Sequence, residues 1–258
     1  MEYRKIVKNK LIKQDINFME YPLYILNKNS IQKNILIKND EKEFMLNVGY
    51  KTPNSTDMLF LYYFIKKSQE LNYSEELILK RADVIKNTTA NDSSYYYKRL
   101  EETLKIWRNV GLGFKNAFYN EKKYKSIDFG VLDHGKIEED GTINIRINKI
   151  FIDIIKNSGF YRYVDFEEFK KLKKPVSRRL YEILKKSALP LKMEIINLAK
   201  KITLDKKYPS DIIVKIKPAI KEINKNTDLN IEFEYYKNEN NETICEFTQK
   251  RVLKDYFE

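Results

Sequence analysis

The chain of 258 residues holds one histidine, His134, and one cysteine, Cys245. A single cysteine excludes an internal disulfide and a thiolate metal site, which need two or more. A tyrosine nucleophile that cuts DNA beside a metal works with paired histidines, so the 19 tyrosines do not point to that reaction. The phosphate-cradling G-x-x-x-x-G-K-[ST] is missing: the glycine pair Gly111 and Gly113 is followed by Phe114, not by lysine. No two aspartates stand two positions apart, so the usual carboxylate pair for magnesium is absent, although distant carboxylates could still converge. Asp128, Asp133, His134, Glu138, Glu139 and Asp140 crowd one stretch beside Gly135 and Gly141, which reads better as an acidic hairpin loop than as a metal site. Glu232 and Glu234 near Lys237 have a nuclease-like look, but alternation with Ile231, Phe233 and Tyr235 puts them on a solvent face. The sequence therefore predicts no catalytic residue, no metal and no cofactor.

The residues that could bind are more numerous. Lysine and arginine exceed aspartate and glutamate by 49 to 37, a net charge of +12. Such an excess points to a polyanionic partner. Only nine of these cations are arginine. Codon bias in an A/T-rich genome explains lysine in place of arginine, but explains the excess of cations less well. A helix that enters the major groove needs small polar residues near its N-terminus and cations along its exposed side. One candidate helix offers Asn91, Ser93, Ser94, Tyr95, Lys98 and Arg99. A second offers Ser210, Asp211, Val214, Lys217, Lys221 and Lys225. Arg178 and Arg179 lie between them and either grip phosphates or solubilise a linker helix. Any surface helix can carry such residues; two of them, each followed by a hairpin in a basic chain, favour double-stranded DNA.

These helices need elements to position them. Ile35 and Ile37, a polar turn, and then Phe44, Leu46 and Val48 read as a hairpin. A break at 52–57 precedes a densely apolar helix over 58–69 and a short helix over 81–86. A third helix opens at Asp92 or Ser93 and runs to about 109, with Tyr96, Leu100, Leu104 and Trp107 on one stripe. Segments 110–118 and 124–132 are expected to pair as strands, with 142–147 a further strand. Helices follow over 149–157, from Asp165, and over 177–188. In the second half, 191–199 reads as a helix. Another runs to about 226, with Ile212, Ile216, Ala219, Ile220 and Ile223 buried and Pro218 expected to kink it. Segments 230–236 and 243–249 form a closing hairpin. The expected fold class is α+β: two tandem winged-helix units, each a helix-turn-helix with a β-hairpin wing. The expected boundaries are a basic arm over 1–16, a first unit with its preceding hairpin over 17–160, connector helices over 161–189 and a second unit over 190–258. No apolar stretch approaches the roughly 20 residues of a membrane span. The N-terminal residues have no signal-peptide core, so a cytoplasmic protein is expected.

The second half resembles plasmid replication initiators. The similarity runs through Leu191-Lys-Met-Glu-Ile-Ile-Asn-Leu-Ala, Tyr208-Pro-Ser-Asp-Ile-Ile-Val-Lys-Ile-Lys-Pro-Ala-Ile-Lys-Glu-Ile-Asn and Thr227-Asp-Leu-Asn-Ile-Glu-Phe-Glu-Tyr. The most specific part is Lys217 to Asn224 followed by Thr227-Asp228, where Pro218 matches the family's own proline. Asn17-Phe-Met-Glu-Tyr-Pro-Leu-Tyr, the stretch 49–57, and Ser177-Arg-Arg-Leu-Tyr are similar to the replication initiator protein A branch. The resemblance spans about 17–251 and is looser in the first half. It implies binding to tandem repeats at a plasmid origin, opening of adjacent A/T-rich duplex, recruitment of the host replicative helicase, and a homodimer that represses the protein's own gene. A winged-helix transcriptional regulator, or a metal-dependent nickase, stays open as an alternative.

Overall fold

In the computed structural model the described residues are 11–26, 32–89, 93–119 and 124–250. Most of the basic arm, together with Asn91 and Asp92, lies outside them. One order of elements occurs twice along the chain. Its first instance is α2 (Ser55–Glu70), β4 (Glu76–Lys80), α3 (Arg81–Thr88), α4 (Ser94–Arg108), β7 (Leu132–Ile137) and β8 (Thr142–Ile147). Its second is α7 (Pro175–Lys186), β10 (Leu191–Glu194), α8 (Ile195–Lys201), α9 (Pro209–Asn226), β11 (Ile231–Lys237) and β12 (Thr243–Gln249). In each, the strand after the first helix pairs antiparallel with the last strand, giving sheets β4-β8-β7 and β10-β12-β11.

The first unit carries additions. β1 (Leu11–Asp15) and α1 (Ile16–Glu20) precede it, followed by β2 (Ile35–Asn39) and β3 (Lys42–Val48). β5 (Val110–Lys115) and β6 (Ser126–Gly130) are inserted between α4 and β7 and join that hairpin in a sheet β2-β3-β5-β6. After α5 (Lys149–Asn157), β9 (Tyr161–Asp165) pairs with β1, and α6 (Phe166–Lys171) leads to α7.

Local chemistry explains the main helices. Asn54 accepts from the α2 backbone while Asp57 accepts from the Asn54 N–H, a reciprocal cap that fixes where α2 begins. Met58 to Ile65 is buried on every side of α2, so this helix is the centre of the first core. α4 buries Leu100, Thr103, Leu104, Ile106 and Trp107, and the Trp107 indole N–H donates to the Asp57 carbonyl at 3.0 Å. β7 lies close over α4 at Gly135, where a Cβ would stand 3.1 Å from that of Leu104. α9 buries the five residues expected of it, with Pro218 inside the helix.

Three expectations change. The strands directly after α4 do pair, but they belong to the sheet of the β2–β3 hairpin; the hairpin that pairs with β4 is β7–β8. Residues 191–194 are a strand, since the alternating run Leu-Lys-Met-Glu finds backbone partners in β12. The described end of the proposed arm and the connector pack into the folded units. Leu11–Asp15 and Tyr161–Asp165 form one ribbon, and α7 packs against α1, α2 and β9 as well as α9. No helix among the described residues is long and apolar enough to cross a membrane.

Candidate nucleic-acid interface

α9 presents the more strongly charged surface. Its apolar face is buried, which leaves Ser210, Asp211, Val214, Lys215, Lys217, Lys221 and Lys225 exposed. Lys206 and Lys207, just before the helix, add exposed cations that sequence reasoning passed over, although their adjacency to the break at Pro209 was visible. β11 braces this face. The Lys217 ammonium lies 5.0 Å from the centre of the Tyr235 ring and 3.3 Å from its hydroxyl. The Asn224 side chain clamps helix to strand: its amide donates to the Ile231 carbonyl at 2.7 Å and its oxygen accepts the Ile231 N–H at 2.8 Å. A row of lysines on a helix braced in this way can neutralise successive phosphates of a polyanion.

α4 presents a mixed face. Ser94, Tyr95 and Lys98 are exposed and Ser93 is half-buried at the N-cap. Lys105 and Arg108 extend the exposed side, and Lys105 lies 4.0 Å from the centre of the Tyr50 ring. Glu101 and Glu102 interrupt this face, paired with Arg81 at 2.8 Å and Lys51 at 2.5 Å. Arg99 does not belong to the surface. It pairs with the fully buried Asp57 of α2, whose carboxylate also accepts from Thr103 at 2.6 Å. Burial pushes the Asp57 carboxyl upward, against the pull of Arg99. The expectation that Arg99 belongs to the DNA-facing side of the helix is corrected: its guanidinium fixes α4 on α2.

Arg178 and Arg179 are corrected for the same reason. Arg178 donates to the Leu172 carbonyl at 2.8 Å and the Ser55 carbonyl at 2.7 Å, and sits over the Phe169 ring. Arg179 is fully buried and donates to the carbonyls of Met19, Glu20 and Lys201 and to Glu182. Glu182 in turn accepts from Tyr62 at 2.7 Å and Tyr24 at 3.3 Å. Neither arginine can reach a phosphate; both tie α7 to the first unit. Glu20 reinforces the joint by pairing with Lys186 and Lys201. Burial would raise its carboxyl, but the two ammonium groups hold it down to about 2. From the other side, Glu222 of α9 accepts the N–H groups of Lys173 and Lys174 and the Ser177 hydroxyl, so it caps α7 from a distance.

The acidic stretch is engaged with side chains of its own hairpin and of the residues beside it. Asp133 accepts from Asn148 at 2.8 Å, Glu138 pairs with Lys136 at 2.8 Å, and Asp140 accepts from Lys80 and Thr142. No group of three or more His, Cys, Asp or Glu among the described residues could hold a metal ion. Glu232 and Glu234 are exposed along β11.

Comparison with known proteins gives a consistent result. A segment of 140 residues is 29% identical to a protein of Wigglesworthia glossinidia brevipalpis named "Putative replication protein", covering 50% of each chain. The chain thus spans about half the length of this curated relative. Among solved structures, domains 2 and 3 of RctB share the fold in two crystal structures. One has a TM-score of 0.60 at 8% identity, over 88% of this chain and 94% of that one; the other has 0.54 at 10%, over 88% and 95%. The family model "Replication initiator protein A" matches residues 13–203, ending before α9, so the similarity drawn from Lys217 to Asp228 lies outside the matched range. With three quarters of its length under that model, the chain belongs to the replication initiator protein A family.

Proposed function

We propose that this chain is a non-catalytic initiator that binds double-stranded DNA at tandem repeats of a plasmid origin. The repeated order of helix, strand, two helices and hairpin supports a winged-helix reading, in which α4 and α9 are the recognition helices and β7–β8 and β11–β12 the wings. The observation that carries the reading is the exposed lysine row of α9, propped by Tyr235 and aimed away from the core. Family membership supports the role in replication. Opening of A/T-rich duplex, contact with the host helicase and a repressing dimer belong to the same proposal.

The direct test is footprinting of the full chain on DNA flanking its own gene. Protected tandem repeats are expected; a single inverted repeat favours a transcriptional regulator, and no protection refutes the proposal. Supercoiled origin plasmid incubated with the chain and magnesium or manganese should stay uncut. Nicking that disappears in Asp133→Asn or Glu138→Gln would show an enzyme instead.

A further inference from the structure

The exposed side of α9 has an apolar centre. At about 100° per residue, Val214 points directly away from the buried face formed by Ile212, Ile216, Ala219, Ile220 and Ile223. Ser210, Lys217, Lys221 and Lys225 lie within roughly 60° of it on either side. Val214 is 65% exposed. Pro218, one turn further on, continues the apolar spot and is partly exposed. A valine in the middle of a lysine row gains nothing from water. It cannot pair with a phosphate, and the surrounding cations discourage an apolar protein partner. The lysines bring this face against a polyanion. On the floor of a major groove, the apolar feature within reach of an isopropyl group is the 5-methyl of thymine.

We infer that Val214 is a specificity-determining residue that reads the methyl group of one or two thymines in the bound site. This rests on the reading of α9 as a recognition helix. It divides the labour on that helix: the lysines hold the backbone and supply most of the affinity, while Val214 selects sequence through contact and carries no charge. Because the residue is exposed, its substitution leaves the core intact.

The test uses the full chain and a synthetic duplex of the segment it protects beside its own gene. Each thymine is replaced in turn by deoxyuridine, which removes the methyl and keeps the base pair. The wild-type chain should lose about three- to five-fold in affinity at one or two positions, the worth of one methyl taken out of water. Val214→Ala should bind thymine and deoxyuridine duplexes equally, and Val214→Ile should keep the preference. Wild-type binding that is tight but indifferent to every replacement overturns the inference, as does a methyl preference that survives in Val214→Ala. If the wild-type chain protects no DNA, the recognition-helix reading itself fails, and this inference with it.

Discussion

At the scale of single residues, exposure separates cations that can bind from cations that build. Lys217 and Lys221 are exposed on α9, whereas Arg178 and Arg179 are buried among carbonyls and carboxylates and Arg99 is half-buried against Asp57. Lys221→Ala should weaken binding to all sequences alike and reduce the log–log salt slope by about one unit, measured by titration over a range of salt. Arg99→Ala should act differently. It strands Asp57 without its guanidinium, and breaking a buried pair costs about 3–5 kcal/mol, so denaturant melts should show the loss. A normal melt combined with relaxed preference at one base would place Arg99 at the DNA interface instead. The sequence could not distinguish these roles. Arg99 follows Lys98 in the chain but stands about 100° round the helix from it, at the edge of the apolar stripe, and its shielding depends on Asp57, 42 positions away. Arg178 and Arg179 looked like a linker pair because nothing local reveals that the start of α2 receives Arg178 or that α1 and α8 close over Arg179.

At the scale of elements, periodicity was legible and pairing was not. The buried stripes of α4 and α9 follow from spacing alone, and α5 begins and ends where the pattern sets it. β4 and β10 escaped notice because Glu-Leu-Ile-Leu-Lys and Leu-Lys-Met-Glu are short and their partners β8 and β12 are distant in the chain. The same distance hid which hairpin accompanies β4. Pro218 was legible as a proline inside α9. It removes one helical hydrogen bond, the one to the Val214 carbonyl. A proline in a helix interior costs about 3 kcal/mol relative to alanine, so Pro218→Ala should raise the thermal midpoint of the chain. A lower midpoint would mean that the surrounding packing depends on the ring. Glu222→Ala should destabilise by about 1–2 kcal/mol, the worth of a helix cap, because it leaves the N–H groups of Lys173 and Lys174 at the entry to α7 and the Ser177 hydroxyl unanswered.

At the scale of the whole molecule, α7 makes the two units one body. It opens the second unit yet buries Arg179 and Glu182 against α1 and α2 of the first. Glu20 adds an acid-sensitive element to this joint. A carboxylate whose folded pKa is depressed to about 2, from 4.5, stabilises the fold above the unfolded value and loses that contribution as pH falls through the folded one. The stability difference between wild type and Glu20→Gln should therefore be full near neutrality and shrink between about pH 4.5 and 2. A difference that stays constant with pH would mean that Glu20 acts through packing alone.

In the proposed complex this joint would set how α4 and α9 meet one duplex, and hydroxyl-radical footprinting of the full chain on its repeats tests this most directly. The account predicts two protected patches on one face of the duplex, with Lys98→Ala weakening one and the double variant Lys217→Ala and Lys221→Ala weakening the other. A single patch, or the same patch weakened by both variants, would contradict it.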